Sequence, residues 1–343
     1  MSLIQERVSL LPYNTLAVDA RAMYFAEVFS LDQLRLLMQE SLRNTVSEKL
    51  ILWWGSNILF TQDFPWLVVK NSLLWKDIIE ETDTCITVRV WAGENWDEFV
   101  QWAVNHNYGD VENLAMIPGC VWATPMQNIW AYGMEVKDVI QSVEYIDMQT
   151  WELVSLLAEE CAFAYRDSVF KQSLKWKVII VAVIFHLQKI STNYSFRLDY
   201  KDIENYISEK SLDVSSLLVA DVADMVRVIR SRKLPDRTKI GTAGSFFKNP
   251  YVDLDTWWVL KKEHSDIVGF LDGSRVKLSA GWLIEHAWLK WTQWWKVWTY
   301  QNHALILVNH GWNGKDIVAV AQEIQARVLD SFGVKLEPEV NYV

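Results

Sequence analysis

The chain has 343 residues, with 33 Lys and Arg against 43 Asp and Glu, and a net charge of −10. That length accommodates two or three domains with real cores, and the acidic balance argues against a general nucleic-acid surface. About half the residues are apolar and mean hydropathy is near zero, as expected of a globular protein with no membrane partner.

The opening MSLIQERVSLLPYN has no apolar stretch of the signal-peptide kind, so a cytoplasmic protein is expected. Cys85, Cys120 and Cys161 are odd in number and widely spaced, which favours reduced thiols over a disulfide framework. The six His show no metal-ligand spacing, and no metal is expected. His303 and His310 read as surface or strand-end residues.

Residues 14–70 alternate short strands with one helix. Ser30-Leu31-Asp32-Gln33 is a capping-box pattern, and Leu31, Leu34, Leu37 and Leu42 form a helical stripe. ILWWGSNILF (51–60) and LVVK (67–70) read as strands around a turn. Further strands are predicted at Thr87–Val90, Val143–Asp147, Val178–Leu187 and Ala304–Val308. The apolar run 178–185 is far too short to span a bilayer and reads as a buried strand. Trp96, Phe99, Val100 and Ala103 mark a helix over 96–105. Ile317, Ala321, Ile324 and Val328 mark another over 316–331, with Gly333 just past its end. Strands and helices mix without a regular βαβ repeat, which favours α+β over a doubly wound sheet. The sequence has no GxGxxG, no GxxxxGK[ST] and no internal repeat. Soft boundaries divide it into 1–70, 71–225, 226–330 and a C-terminal segment 331–343. Trp288, Trp291, Trp295 and Trp298 are spaced as a helical stripe, but the HALILVN that follows is a strand pattern. A strand-and-turn reading is preferred there to a membrane-surface helix.

Several stretches are specific when taken together: AGENW (92–96), IPGCVWATPMQNIWAYG (117–133), CAFAYRDSVFK (161–171), RSRKLPDRTKIGTAGSFFKNP (230–250) and LEPEVNYV (336–343). With GSNILF (55–60), these resemble the UDP-N-acetylenolpyruvoylglucosamine reductases, in family order and over nearly the whole chain. LDYKDIENYI (198–207) looks like the family's longer type, in which a tyrosine-bearing loop covers the substrate. The resemblance implies an α+β flavoenzyme of three domains, with an FAD-binding fold of the MurB and vanillyl-alcohol-oxidase type. FAD lies between the first two domains of such enzymes, and the third closes over the substrate. NADPH reduces the flavin, which reduces UDP-N-acetylglucosamine enolpyruvate to UDP-N-acetylmuramate for peptidoglycan synthesis. The protein is expected to act as a monomer.

The same resemblance assigns residues. Gly55, Ser56, Asn57, Pro118, Gly119, Thr124, Gln127, Asn128, Ile129 and Gly244 match the flavin-binding positions. Hydride addition to the vinyl ether builds negative charge beside a carboxylate, and a fixed cation there lowers the barrier. Arg166 matches that cation, Glu339 its acidic partner, and Ser245 the acid that protonates the α-carbon. A serine serves as an acid only when polarised in a closed site. Tyr200, Lys233 and Asn249 match residues that hold the UDP-sugar. Lys233 and Asn249 also make sense alone, as a point charge and an amide donor for an anionic substrate. Singly, each of these residues reads more plainly: a surface ion pair for Arg166, a turn for Ser245, a solvated tail charge for Glu339, and a solvated loop for Lys233.

The chain departs from the family where glycine is usual. Trp53, Trp54, Trp91, Trp122, Trp130, Trp291, Trp295 and Trp298 stand at such positions, whereas Trp96 and Trp102 look ordinary. The chain has 20 Trp and only 13 Gly, about half the usual glycine share of roughly 7%. An indole in a phosphate-binding loop takes the volume a ligand needs. A catalytically silent scaffold that has lost FAD is therefore the alternative function. A related flavin oxidase acting on another substrate is a third, against which AGSFFKNP and LEPEV speak. Two origins of the indoles are open: a codon that the source organism reads as glycine, or deliberate substitution.

Overall fold

The computed structural model describes residues 3–43, 49–52, 55–190 and 194–343, without the side chains of 39–43. Trp53 and Trp54, and the side chain of Leu42 in the predicted stripe, lie outside the described residues. Two compact units divide the chain: Met1–Ile4, Ala26–Trp53 and Val68–Arg232 form the first, and Gln5–Phe25, Trp54–Leu67 and Lys233–Val343 the second.

The first unit is built on a five-stranded antiparallel sheet. Its order is Leu153–Leu157, Ile140–Asp147, Val178–Gln188, Cys85–Trp91, Lys76–Glu81. The apolar run 178–185 is its central strand, with Ile179 to Phe185 all buried. A strand buried on both faces reads as continuous hydrophobic sequence because neither face is left for polar residues. The predicted helix at 96–105 is Trp96–Asn105; the Asn95 side chain accepts from the Glu98 amide and caps it. Its buried face, Trp96, Phe99, Val100 and Ala103, joins the core with Phe185 and Val183. Trp96 is 1% exposed and its indole N–H donates to the Leu114 carbonyl at 2.9 Å.

The helix Leu31–Arg43 begins as the capping pattern predicts, with one shift. Ser30 Oγ accepts from the Gln33 amide, while Gln33 Oε1 accepts from Phe29 rather than from Ser30. The stretch 198–207, expected as a loop around Tyr200, is mostly helical. Lys201–Lys210 is a helix, and Tyr200 sits at its N-cap.

In the second unit, Gly241–Ser245, His303–Asn309, Val297–Tyr300 and Gln293–Trp294 form an antiparallel sheet in that order. The segment 288–298 is thus strand and turn, not a helix, as the HALILVN pattern indicated. Tyr251–Asp253, Arg275–Leu278 and Gly269–Asp272 make a second, three-stranded sheet. The helix Gly314–Phe332 buries Ile317, Ala321, Ile324 and Val328. Asn313 caps its start, and Gly333 ends it at φ +65°. Near the C-terminus, Asn341–Tyr342 pairs in parallel with Ile58–Leu59. Among the described residues, no helix is long and apolar enough to cross a membrane.

Candidate active site

In the second unit the GSN turn, the AGSFF strand and the C-terminal LEPEV segment converge. The Glu339 amide donates to the Phe246 carbonyl at 2.8 Å, and the Lys248 amide to the Glu337 carbonyl at 2.9 Å. Phe247 bridges Pro338 between them. Asn57 Nδ2 donates to the Glu339 carbonyl, and the Asn57 carbonyl accepts from the Asn341 amide at 3.1 Å. The Asn57 amide nitrogen therefore helps to anchor the C-terminal segment. Glu339 is a half-buried residue of a paired segment, not a solvated tail.

Ser245 is aimed by a bulge. Gly241 and Thr242 pair with Asn309 and Val308, but the register shifts before Ser245 meets Ile306. A bulge bends a strand and turns a side chain out of the regular alternation. Gly244, inside the shift, has φ +77° and donates its amide to Thr242 Oγ1 at 3.1 Å. A Cβ there would meet nothing within 4 Å, so the backbone conformation alone asks for glycine. Among the described residues the Ser245 hydroxyl makes no hydrogen bond and stays half-buried. Asn249 is partly committed, since its Oδ1 accepts from the Ala280 amide at 2.9 Å. Lys233 is the last residue of the helix Val219–Lys233 and half-buried.

Gly55 is glycine for a reason other than a phosphate. It has φ +59°, and a Cβ would lie 2.0 Å from the Tyr13 carbonyl oxygen. Its own carbonyl accepts from the Thr15 amide. Ser56, next in the turn, engages neither amide nor hydroxyl among the described residues and is half-buried. Those two donors fit the oxygen of an anionic group.

In the first unit the second predicted flavin loop is tied to the YRDS turn. Ser168 Oγ donates to the Met126 carbonyl at 2.7 Å, and Asn128 Nδ2 donates to the Ala164 carbonyl at 3.2 Å. Ala164 and Asp167 exchange backbone bonds, leaving Tyr165 and Arg166 as the turn between them. Arg166 stands there at φ +55°, an uncommon conformation for a side chain of this size. Strain of this kind gathers at functional sites. The Lys171 ammonium donates to the Arg166 carbonyl and pins the turn. Thr124 is buried and its hydroxyl donates to the Val121 carbonyl. Asn128 is buried too, at φ +44°, with Nδ2 also on Glu135 at 2.5 Å. These two polar side chains shape the loop; what they leave for a ligand is backbone. Gly119, at φ +122°, and half-buried Pro118 and Gln127 lie on the same loop, with buried Ile129.

The indoles of this loop do not sit at positive φ. Trp122 is right-handed, at φ −57°, and packs partly buried against the first unit's core. Trp130 is in a short strand, 36% exposed, and its ring meets Tyr200 edge-on at 5.7 Å. Their effect on a ligand is thus one of bulk, not of backbone strain. Tyr200 also meets Tyr132 edge-on at 5.3 Å. Burial raises the Tyr200 phenol above its ordinary value, with Asp202 adding to the shift. Burial pushes Tyr132 up to about 12, against the pull of Arg230.

Residues 235–343 match the family description "UDP-N-acetylenolpyruvoylglucosamine reductase, C-terminal domain", and residues 32–155 match an FAD binding domain. A UDP-N-acetylenolpyruvoylglucosamine reductase of Flavobacterium johnsoniae is 38% identical over 342 residues, covering 99% of each chain. One of Burkholderia mallei is 40% identical over 348 residues, again covering 99% of each. The chain belongs to the UDP-N-acetylenolpyruvoylglucosamine reductase family. The fold agrees: the crystal structure of this reductase from Thermus caldophilus superposes with a TM-score of 0.68 over 99% of both chains, at 22% identity. With an FAD-binding domain in place, this reductase-family chain is of the oxidoreductase, flavoprotein class.

Sequence reasoning missed two supports of the site. The Asn57 carboxamide reaches Glu339, 282 residues away, and no local pattern announces that. The bulge before Ser245 was half visible in Gly244, but a lone glycine in a strand does not say which side chain it redirects.

Proposed function

We propose that the protein catalyses the NADPH-dependent, FAD-mediated reduction of UDP-N-acetylglucosamine enolpyruvate to UDP-N-acetylmuramate, a step of peptidoglycan synthesis, as a cytoplasmic monomer. Beside full-length relatives carrying that name, one observation supports the reading most. The unengaged Ser245 hydroxyl stands on a bulged strand whose next residue is backbone-paired to Glu339.

Bound FAD, reduced by NADPH, supplies the hydride. Ser56, Gly119 and Gly244 are the described positions best fitted to hold it, because they offer unengaged donors or a backbone free of a Cβ. The rest of the chemistry belongs to the chain. Arg166 offsets negative charge at the substrate carboxylate as the enolate develops. Glu339 supplies the acidic member of the catalytic set. Ser245 Oγ gives its proton to the α-carbon. Tyr200, Lys233 and the Nδ2 of Asn249 hold the sugar diphosphate.

The test is rapid mixing of the flavin-loaded protein, first with NADPH and then with the enolpyruvyl sugar. Loss of flavin absorbance in the first step and its return in the second is expected. Trp122 and Trp130 on the flavin loop favour one other reading, a silent scaffold. A purified chain that retains no flavin after incubation with excess FAD and removal of the unbound cofactor, but retains it when those residues are changed to glycine, would establish that reading instead.

A further inference from the structure

Among the described residues, fifteen other than glycine have positive φ, and five of them are tryptophan: Trp151, Trp176, Trp288, Trp291 and Trp295. At 20 Trp in 343 residues, about one would be expected there by usage alone. A bulky side chain in the left-handed region is an outlier, since its Cβ crowds the following carbonyl. None of the five lies in a stretch assigned to flavin or substrate.

The local geometry at three of them asks for glycine. Trp288 follows the helix Ala280–His286. Its amide donates to the Glu285 carbonyl at 3.1 Å, and the Leu289 amide donates to the Ile284 carbonyl at 3.1 Å. Those two bonds define the helix ending whose left-handed position is normally glycine. Gly333 fills the matching position after Gly314–Phe332. Trp295 is the first central residue of a two-residue turn, since Trp294 pairs with Val297. Only Trp295 of the two central residues has positive φ, and hairpin turns of that kind take glycine first. Trp151 ends the loop between Ile140–Asp147 and Leu153–Leu157, at φ +61°, with its amide on the Asp147 carbonyl. That is the left-handed place before a returning strand.

Exposure points the same way. Trp288 is 90% exposed, Trp295 87%, and Trp176 and Trp291 are exposed as well. These indoles fill no core, so burial does not offset the backbone cost. Trp96 is the contrast, buried and hydrogen-bonded.

We propose that the gene's own organism places glycine at these five positions, through a codon it reads as glycine and that is written here as tryptophan. Substitution aimed at the flavin loops would not reach turns such as 151, 176 and 288, whereas a systematic misreading strikes wherever the codon falls. Together with Trp53, Trp54, Trp91, Trp122, Trp130 and Trp298, these positions would bring glycine from 13 to about 24, the ordinary share of about 7%.

Three measurements test this. The five codons are expected to be one and the same, and to differ from the codon at Trp96; a single TGG codon at all six overturns the proposal. Peptide mass spectrometry of the protein from its source is expected to read glycine at 151, 176, 288, 291 and 295; tryptophan there overturns it. In recombinant protein, the five-fold Trp→Gly variant is expected to melt at a higher temperature than the five-fold Trp→Ala variant, because alanine keeps the Cβ. At ordinary turn positions alanine is the more stabilising of the two, so an alanine variant that melts higher refutes the left-handed requirement.

Discussion

Two side chains separate the chemistry from its surroundings. If Ser245 donates the proton, Ser245→Ala leaves flavin reduction by NADPH intact and slows reoxidation by the enolpyruvyl sugar by about 10²-fold or more, the range of a positioned acid. Stopped-flow on each half-reaction reads this directly, and equal losses in both would remove Ser245 from that role. Arg166 tests the geometry of charge. Arg166→Lys keeps a cation but loses the planar fork that grips a carboxylate. It also meets the same left-handed backbone, so the substitution adds no new strain. The sugar half-reaction of Arg166→Lys is expected to fall nearly as far as that of Arg166→Ala. A lysine variant with near-normal reoxidation would make Arg166 a distant charge only.

At the scale of elements, the segment 194–200 leading into the helix Lys201–Lys210 is held by two acids, buried Glu112 and half-buried Asp110. The Tyr194 hydroxyl accepts from the Asp110 amide at 2.7 Å and lies 3.1 Å from Asp110 Oδ1 and 2.8 Å from Glu112 Oε1. A phenol has one proton and cannot donate to both carboxyls. Glu112 is 2% exposed, and among the described residues its Oε2 has no hydrogen-bond partner. Burial raises its carboxyl above the ordinary 4.5, the Tyr194 bond opposing. A protonated Glu112 then donates to Tyr194 and leaves the phenolic proton for Asp110. The linkage has a definite sign. The folded state holds this proton more tightly than the unfolded chain, so the contribution is complete below pH 4.5. It is lost as pH rises from there through the raised folded value. Glu112→Gln keeps a donor at every pH. It is expected to be more stable than the parent at neutral pH and to lose that advantage below pH 4.5. Urea denaturation across pH checks this; a constant difference would mean that Glu112 does not titrate.

For the whole molecule, what could be read in advance followed from periodicity and punctuation. The helix Trp96–Asn105 was legible from its apolar stripe, Gly314–Phe332 from a stripe with Gly333 past its end, and the strand Val178–Gln188 because its burial leaves no polar alternation. The helix Lys201–Lys210 was not, since only Ile203 is buried and its stripe is too thin to show. Within the candidate site, residue types were legible through motifs in order. Their supports were not, because Asn57 to Glu339 and Glu339 to Phe246 join segments far apart in sequence. The indoles were legible as anomalies in ILWWGSNILF and in QNIW, and they carry the last prediction. Trp122 and Trp130 add bulk on the loop whose buried Thr124 and Asn128 leave backbone for a ligand, and Trp53 and Trp54 precede the unengaged Ser56. Charge-assisted hydrogen bonds to a diphosphate contribute roughly 1.5–3 kcal/mol each. Losing two of them weakens binding by about 10² to 10⁴. Returning Trp53, Trp54, Trp122 and Trp130 to glycine is therefore expected to tighten FAD binding by that factor and to raise reductase activity with it. Calorimetric titration of FAD into both chains measures the gain. Equal affinity of the two would mean that the indoles stand clear of the cofactor, and that the reductase works with them in place.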